Sequence, residues 1–146
     1  MNNTEISNEE IIAALEKESI MTLATCSGNR VTIRPMSHIN RGLTVYFQTG
    51  RDSLKVKQIR DNPYVALCVG TYEIEGKASL LGHPFDSGNE LFKKKYKEKH
   101  PGSYDTYSAY EDEIVVEVNI HRVRQWRYVE GIPCLAEKSY DMEEIL

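Results

Sequence analysis

Three groups of residues within positions 30–60, RVTIRPMSHINRGLTVYFQTGRDSLKVKQIR, can act together on one anion. Arg34 stands in the middle of an otherwise apolar strand-like run. Gln48-Thr49-Gly50 closes the next such run, and Arg51-Asp52-Ser53-Leu54-Lys55 enters a helical segment with hydroxyl and cationic groups close together. A phosphate satisfies all three. The first N–H groups of a helix are unpaired and the helix dipole is positive there, while Ser, Arg and Lys add charge-assisted hydrogen bonds. Lys57, two positions beyond Lys55, is turned away and reads as solvated. Other chemistry finds less support. His38, His83, His100 and His121 lack metal-ligand spacing, and Cys26, Cys68 and Cys134 are odd in number, far apart and free of a C-x-x-C pair, so no metal site and no disulfide framework are assigned. No Ser/His/Asp or Cys/His constellation stands out, and the list of catalytic side chains is empty. His38 lies beyond Met36, within reach of a ligand there, but the sequence offers it no partner. Tyr104, Tyr107 and Tyr110 are at helical spacing, which reads as packing or as a lid.

The elements that must position these residues follow from periodicity and turn signals. Ser7-Asn8-Glu9-Glu10 before Ile11, Ile12 and Leu15 predicts a capped helix over 7–18. Apolar and β-branched residues over 19–26, a Ser27-Gly28-Asn29 turn and a further run over 31–39 predict a hairpin. Arg41-Gly42 turns the chain into a strand over 43–49, with Leu43, Val45 and Phe47 on the core face and Thr44, Tyr46 and Gln48 on the other. A short helix over 52–61 ends before Asn62-Pro63. Strands over 64–69 and 72–82 follow, with Gly76 marking a bulge or a close backbone approach. A helix over 88–99 carries Leu91, Phe92 and Tyr96 on its inner face and is broken by His100-Pro101-Gly102. Strands over 113–119 and 123–129 and a weakly helical end over 140–146 complete the chain. Seven strands joined largely by hairpin turns predict a mostly β (α+β) antiparallel barrel with short flanking helices, not a doubly wound sheet.

The totals fit one domain over 1–146, long enough for a core without disulfides or metal. A net charge of -4 argues against a nucleic-acid binder that relies on bulk positive field. The polar, acidic start MNNTEISNEE lacks the parts of a signal peptide and no apolar run spans a bilayer, so the protein is read as cytoplasmic and not membrane-bound. G-x-G-x-x-G and G-x-x-x-x-G-K-[ST] are both absent, which leaves the usual nucleotide-binding loops out of account.

The order and spacing of Arg34-Pro35-Met36, Tyr46-Phe47-Gln48-Thr49, Ser53-Leu54-Lys55 and Asn62-Pro63-Tyr64-Val65-Ala66-Leu67 resemble the FMN-binding split-barrel family, the pyridoxamine 5'-phosphate oxidase-like proteins, over about residues 9–131. The resemblance implies a six- to seven-stranded antiparallel split β-barrel, a homodimer, and FMN at the subunit interface. It implies that Arg34 lies near the flavin's phosphate or ring, that the backbone of Pro35 and Met36 faces the ring, that Gln48 and Thr49 end the adjacent strand, and that Ser53 and Lys55 hold the phosphate. Trp126 resembles the aromatic that approaches from the other subunit; the alternative is that it packs in its own core. The end Leu135-Ala136-Glu137-Lys138-Ser139-Tyr140 lacks the Arg/His segment that grips a vitamin B6 phosphate, which argues against that reaction. The expectation is an FMN-dependent oxidoreductase moving electrons from NADH or NADPH to a small acceptor, in the manner of flavin reductases or nitroreductase-like proteins. The alternative is a non-catalytic FMN- or haem-binding module.

Overall fold

The computed structural model describes residues 4–140. Helix α1 (Asn8–Lys17) opens with a reciprocal capping box, in which the Glu10 backbone N–H donates to the Ser7 hydroxyl and the Ser7 N–H donates to the Glu10 carboxylate. Its apolar stripe, Ile11 and Leu15, is fully buried. Eight strands form one antiparallel sheet: β1 (Ile20–Ser27), β2 (Arg30–Ser37), β3 (Ile39–Arg41), β4 (Thr44–Gly50), β5 (Tyr64–Val69), β6 (Tyr72–Leu80), β7 (Glu113–Val129) and β8 (Ile132–Ser139). The order is β2-β1-β5-β6-β7-β4-β3, with β8 also on β7, and the sheet stays open between β2 and β3. Helix α2 (Leu54–Asp61) connects β4 to β5, while α3 (Glu90–Lys99) and α4 (Pro101–Tyr107) connect β6 to β7.

The expected mostly β, antiparallel split-barrel architecture is observed, with four local differences. The run over 31–39 is two strands. At His38, which is fully buried, the chain leaves the β2 edge and crosses to pair with β4 at the opposite edge. The segments 113–119 and 123–129 are one strand. A bulge accounts for the break in alternation, because Glu75 opposes Arg122 while Gly76 opposes Ile120, leaving His121 over. Gly76 is the close approach as well: a Cβ there would stand 2.6 Å from the Asn119 carbonyl oxygen. Finally, 132–139 pairs with the second half of β7 as β8, and Pro101 starts a new helix at its first turn where only a break was expected. The helical end expected over 140–146 lies, apart from the non-helical Tyr140, outside the described residues.

Two apolar clusters result. The barrel interior holds Leu15, Met21, Leu23, Val45, Phe47, Leu67, Val116, Val118 and Val123 among others. Under α3 lies a smaller cluster of Ile39, Phe92, Tyr96 and Val115. Val115, which alternation puts on the same face as Glu117 and Asn119, is fully buried, while Leu91, expected inward, is exposed. No helix among the described residues is long and apolar enough to cross a membrane.

Candidate functional site: a cationic cluster at the start of α2

Where β4 ends and α2 begins, a compact polar cluster forms. The Lys55 ammonium donates to the Thr49 hydroxyl at 2.8 Å, and the Thr49 and Ser53 hydroxyls are 3.4 Å apart. Ser53 occupies the N-cap of α2, yet its side chain makes no capping bond to the helix. It turns instead toward Thr49, so the first N–H groups of α2 have no side-chain cap.

Arg34 completes the cluster from β2. In the register of the first hairpin it lies opposite Leu23, and like Leu23 it faces the barrel side. Its guanidinium donates to the Leu23 carbonyl at 3.3 Å, to the Thr25 hydroxyl at 2.8 Å and to the Thr32 hydroxyl. Gln58, one turn along α2, accepts from Thr25 and Thr32, each at 2.5 Å, and donates to the Arg30 carbonyl at 3.0 Å. This network pins α2 onto the hairpin and fixes Arg34 beneath the start of the helix.

The electrostatics are those of two partly buried cations held near each other. Burial holds the Arg34 guanidinium below its usual range, and burial together with the nearby Arg34 charge does the same to Lys55. Among the described residues neither cation forms a salt bridge. Two half-buried positive charges that repel each other and lack an ion-paired carboxylate leave room for negative charge from outside.

The remaining predicted residues fall elsewhere. Pro35 faces the outer side of β2, which is an edge strand, and Met36 faces the core. The Gln48 side chain points away from Thr49 to the opposite face of β4, where its amide oxygen accepts from the buried Ser108 hydroxyl at 2.8 Å. Trp126 is 59 % exposed and pairs with Leu135, so it does not pack in its own core. It lies 13 steps along β7 from Glu113, which opposes Gly50, or about 40 Å of extended strand.

Sequence reading missed Thr25, Thr32 and Gln58, whose pairing appears only once the hairpin register is known. It also missed Glu113, which is 6 % exposed and lies opposite Gly50. Of the histidines, His38 donates from Nε2 to the Leu15 carbonyl at 2.9 Å, and burial pushes its pKa down to about 4. It is a buried structural group that ties the strand crossover to α1. Tyr104 packs against the α3 cluster, while Tyr107 and Tyr110 are exposed. Among the described residues no group of three or more His, Cys, Asp or Glu could hold a metal, and Cys26, Cys68 and Cys134 are free thiols.

The outer face of the sheet is the second notable surface. Ladder registers place Val31 and Ile33 of β2, Ala24 of β1, Tyr64 and Ala66 of β5, and Trp126 of β7 on it. A depression of about 580 Å³ lies there, lined by Ala24, Val31, Tyr64, Ala66, His121 and Arg122 together with Thr25, the partner of Arg34. Beyond it, Arg122 and Arg124 pair with Glu75, Glu137 and Glu73.

The open antiparallel sheet with its short connecting helices places the molecule among the split-barrel proteins. The chain belongs to the pyridoxamine 5'-phosphate oxidase family, whose model matches residues 7–127. It is 30% identical over 76 residues to general stress protein 26 of Bacillus subtilis (strain 168), a match covering 52% of this chain and 53% of that protein. The match therefore spans about half the length of the curated relative. Among solved structures it is similar to general stress protein 26 from Bacillus anthracis str. Sterne (TM-score 0.68, 19% identity, 90% of this chain and 98% of that one). It is also similar to the haem storage protein from Vibrio cholerae (TM-score 0.66, 12% identity, 77% and 89%). At these identities the two structures establish the fold alone.

Proposed function

We propose that this protein is an FMN-binding oxidoreductase that moves electrons from a reduced nicotinamide to a small acceptor. The observation that carries the reading is the pair Arg34 and Lys55: two half-buried cations without an ion-paired carboxylate, set against two hydroxyls and an uncapped helix start. Haem fits this cluster less well, because its carboxylates lie at the rim of a large apolar disc and its iron needs an axial ligand. His38 and His100, the two most buried histidines, are engaged with the Leu15 and His38 carbonyls.

In this reading Lys55, Ser53 and the first N–H groups of α2 hold the phosphate, and Arg34 adds charge from below. The edge of β2 at Pro35 and Met36 presents backbone to the ring. Flavin supplies the hydride and single-electron chemistry when bound, so the chain's own task is to bind, orient and exclude water, with no catalytic acid or base required. A flat tricyclic ring needs a second apolar wall. Trp126 is too far along β7 to provide it to its own cluster, but as an exposed aromatic on an apolar sheet face it can provide it to another copy. A homodimer built on the outer face follows from this reading.

Purified protein incubated with excess FMN and then with NADH or NADPH without air tests it. A flavin spectrum that bleaches on adding the nicotinamide, with FMN and not FAD recovered by chromatography, is the expected result. A flavin spectrum that persists identifies a carrier, a Soret band with haem identifies a haem protein, and failure to take up flavin overturns the proposal.

A further inference from the structure

A guanidinium carries five N–H donors in a rigid planar fork, and Arg34 uses three of them inside the protein. Nη1 donates to the Leu23 carbonyl at 3.3 Å and to the Thr25 hydroxyl at 2.8 Å, while Nη2 donates to the Thr32 hydroxyl. Thr25 and Thr32 oppose each other in the first hairpin with their hydroxyls 3.1 Å apart, so they take the end of the guanidinium as a pair. Nε–H and the second N–H of Nη2 have no partner among the described residues. These two lie along one side of the guanidinium plane and point the same way, the arrangement that meets two oxygens of a single phosphate or carboxylate.

Gln58 holds the fork in this orientation. Each threonine hydroxyl has a single hydrogen, and with Arg34 donating to its oxygen that hydrogen goes to the Gln58 amide oxygen, which accepts from Thr25 and Thr32 at 2.5 Å each. The Gln58 amide nitrogen donates to the Arg30 carbonyl at 3.0 Å, and since a carbonyl can only accept, this bond fixes which way round the amide stands. The donors therefore run one way, from guanidinium to hydroxyls to amide, and every acceptor on the route is uncharged. Gln58 and Thr25 are 4 % and 1 % exposed, so water does not compete for these bonds. Gln58 also sits one turn beyond Lys55 on α2, so the helix that brings the ammonium brings the lock for the guanidinium as well.

Resting on the phosphate-site reading above, we propose that Gln58 is the positioning residue of that site. Through Thr25 and Thr32 it locks the end of the Arg34 guanidinium and leaves the Nε side to bind two oxygens of a phosphate monoester, and its neutrality keeps the charge of Arg34 for that ligand. Gln58 itself touches no ligand. Its side chain matters in two separable ways. Without the amide oxygen the two hydroxyls lose their acceptor and Arg34 is free to turn, so the ligand must order it on binding. With a carboxylate in its place the hydroxyls keep an acceptor and the lock holds, but a negative charge one hydroxyl away from the guanidinium competes with the phosphate.

Flavin-fluorescence titration of the full chain with FMN and with riboflavin, for wild type, Gln58→Met and Gln58→Glu, tests this. FMN affinity is expected to fall roughly 10-fold or more in each variant, as for the loss of a charge-assisted hydrogen bond, while affinity for riboflavin, which lacks the phosphate, changes less than about twofold. Proton–nitrogen NMR spectra separate the two causes. The Arg34 guanidinium signals, assigned by their loss in Arg34→Lys, are resolved in ligand-free wild type and Gln58→Glu and merge in Gln58→Met. In wild type the Nε–H signal moves on adding FMN and stays in place with riboflavin, a readout that does not depend on either Gln58 variant folding. FMN and riboflavin weakened alike, or an Arg34 Nε–H signal that FMN leaves in place, overturns this inference while leaving the FMN site standing. FMN that fails to bind wild type at all overturns the parent reading and this one with it.

Discussion

On the proposed function, Lys55 sets ligand binding against stability, and replacing it separates the two. In the free protein its charge is partly desolvated and faces Arg34, with Glu113 as the only opposing charge that acts on it noticeably. Lys55→Met keeps the stem of the side chain and removes the charge. The hydrogen bond it gives up is to the Thr49 hydroxyl, which remains 3.4 Å from Ser53 and can rotate to bond it. The apo-protein is therefore expected to melt at the same temperature as wild type or higher. FMN binding should move the opposite way. A charge-assisted hydrogen bond to a phosphate is worth ~1.5–3 kcal/mol net. That corresponds to roughly 10- to 150-fold in affinity. Arg34→Ala should weaken FMN to a comparable degree but lower the melting temperature, because Arg34 also bonds Leu23, Thr25 and Thr32. Lys95→Ala, whose ammonium bonds the Asn40 carbonyl away from the cluster, is the reference. Titration by flavin fluorescence with a parallel thermal melt reads both quantities. Equal FMN affinities for all three variants, or a Lys55→Met protein that melts well below wild type and binds normally, would refute the assignment of Lys55 to the phosphate.

Three further outcomes are expected. Light scattering should give twice the monomer mass, FMN should quench Trp126 fluorescence strongly, and Trp126→Ala should lower flavin affinity without unfolding the protein; a monomer that binds FMN at full strength removes the shared-site mechanism. Stability should change little between about pH 4.5 and 6.5, where two opposing limbs overlap, and Glu113→Gln should expose the first of them. The His38 pKa is lowered from 6.5 to about 4, so its contribution is complete above 6.5 and is lost as pH falls toward 4, at about 1.4 kcal/mol per unit, or about 3 kcal/mol in all. The Glu113 pKa is raised from 4.5 to about 7, so it costs a similar amount as pH rises through that window, and Glu113→Gln should abolish this second limb in urea melts at pH 5 and pH 8. Gly76→Ala forces a Cβ to 2.6 Å from the Asn119 carbonyl and 2.7 Å from Val118 Cγ1, and should cost ~1–3 kcal/mol by denaturant midpoint; a neutral result would mean that the bulge relaxes.

What the sequence made legible was local chemistry, and what it hid depended on partners distant in the chain. Ser7 with Glu10, the Ser27-Gly28-Asn29 turn and the Asn62-Pro63 stop act within a few residues, and the elements they delimit fall where expected to within two residues. Thr49, Ser53 and Lys55 are close in sequence, so their meeting followed from one strand end and one helix start. Gln48 was placed with them by adjacency alone, and the strand's period of two turns its side chain to Ser108. The strand over 132–139 was overlooked because Pro133, Glu137 and Lys138 blur its pattern, and it exists through its register with β7. Likewise Val115 looks half-polar until α3 covers it.

The bulge at His121 lets β7 carry one residue more than its partner strand without turning its second half inside out. Before it, even-numbered residues from Ile114 to Ile120 point into the barrel; after it, the inward parity is odd, beginning with Val123. Removing His121 would leave Ile120 opposite Gly76 and Arg122 opposite Glu75 in a regular ladder, with every side chain of β7 on its present face. A residue added between Arg122 and Val123, where the ladder is regular, would instead exchange the faces beyond it and turn Arg124 and Trp126 inward while expelling Val123. Loss of His121 should therefore be accepted far more readily than a single insertion in the second half of the strand.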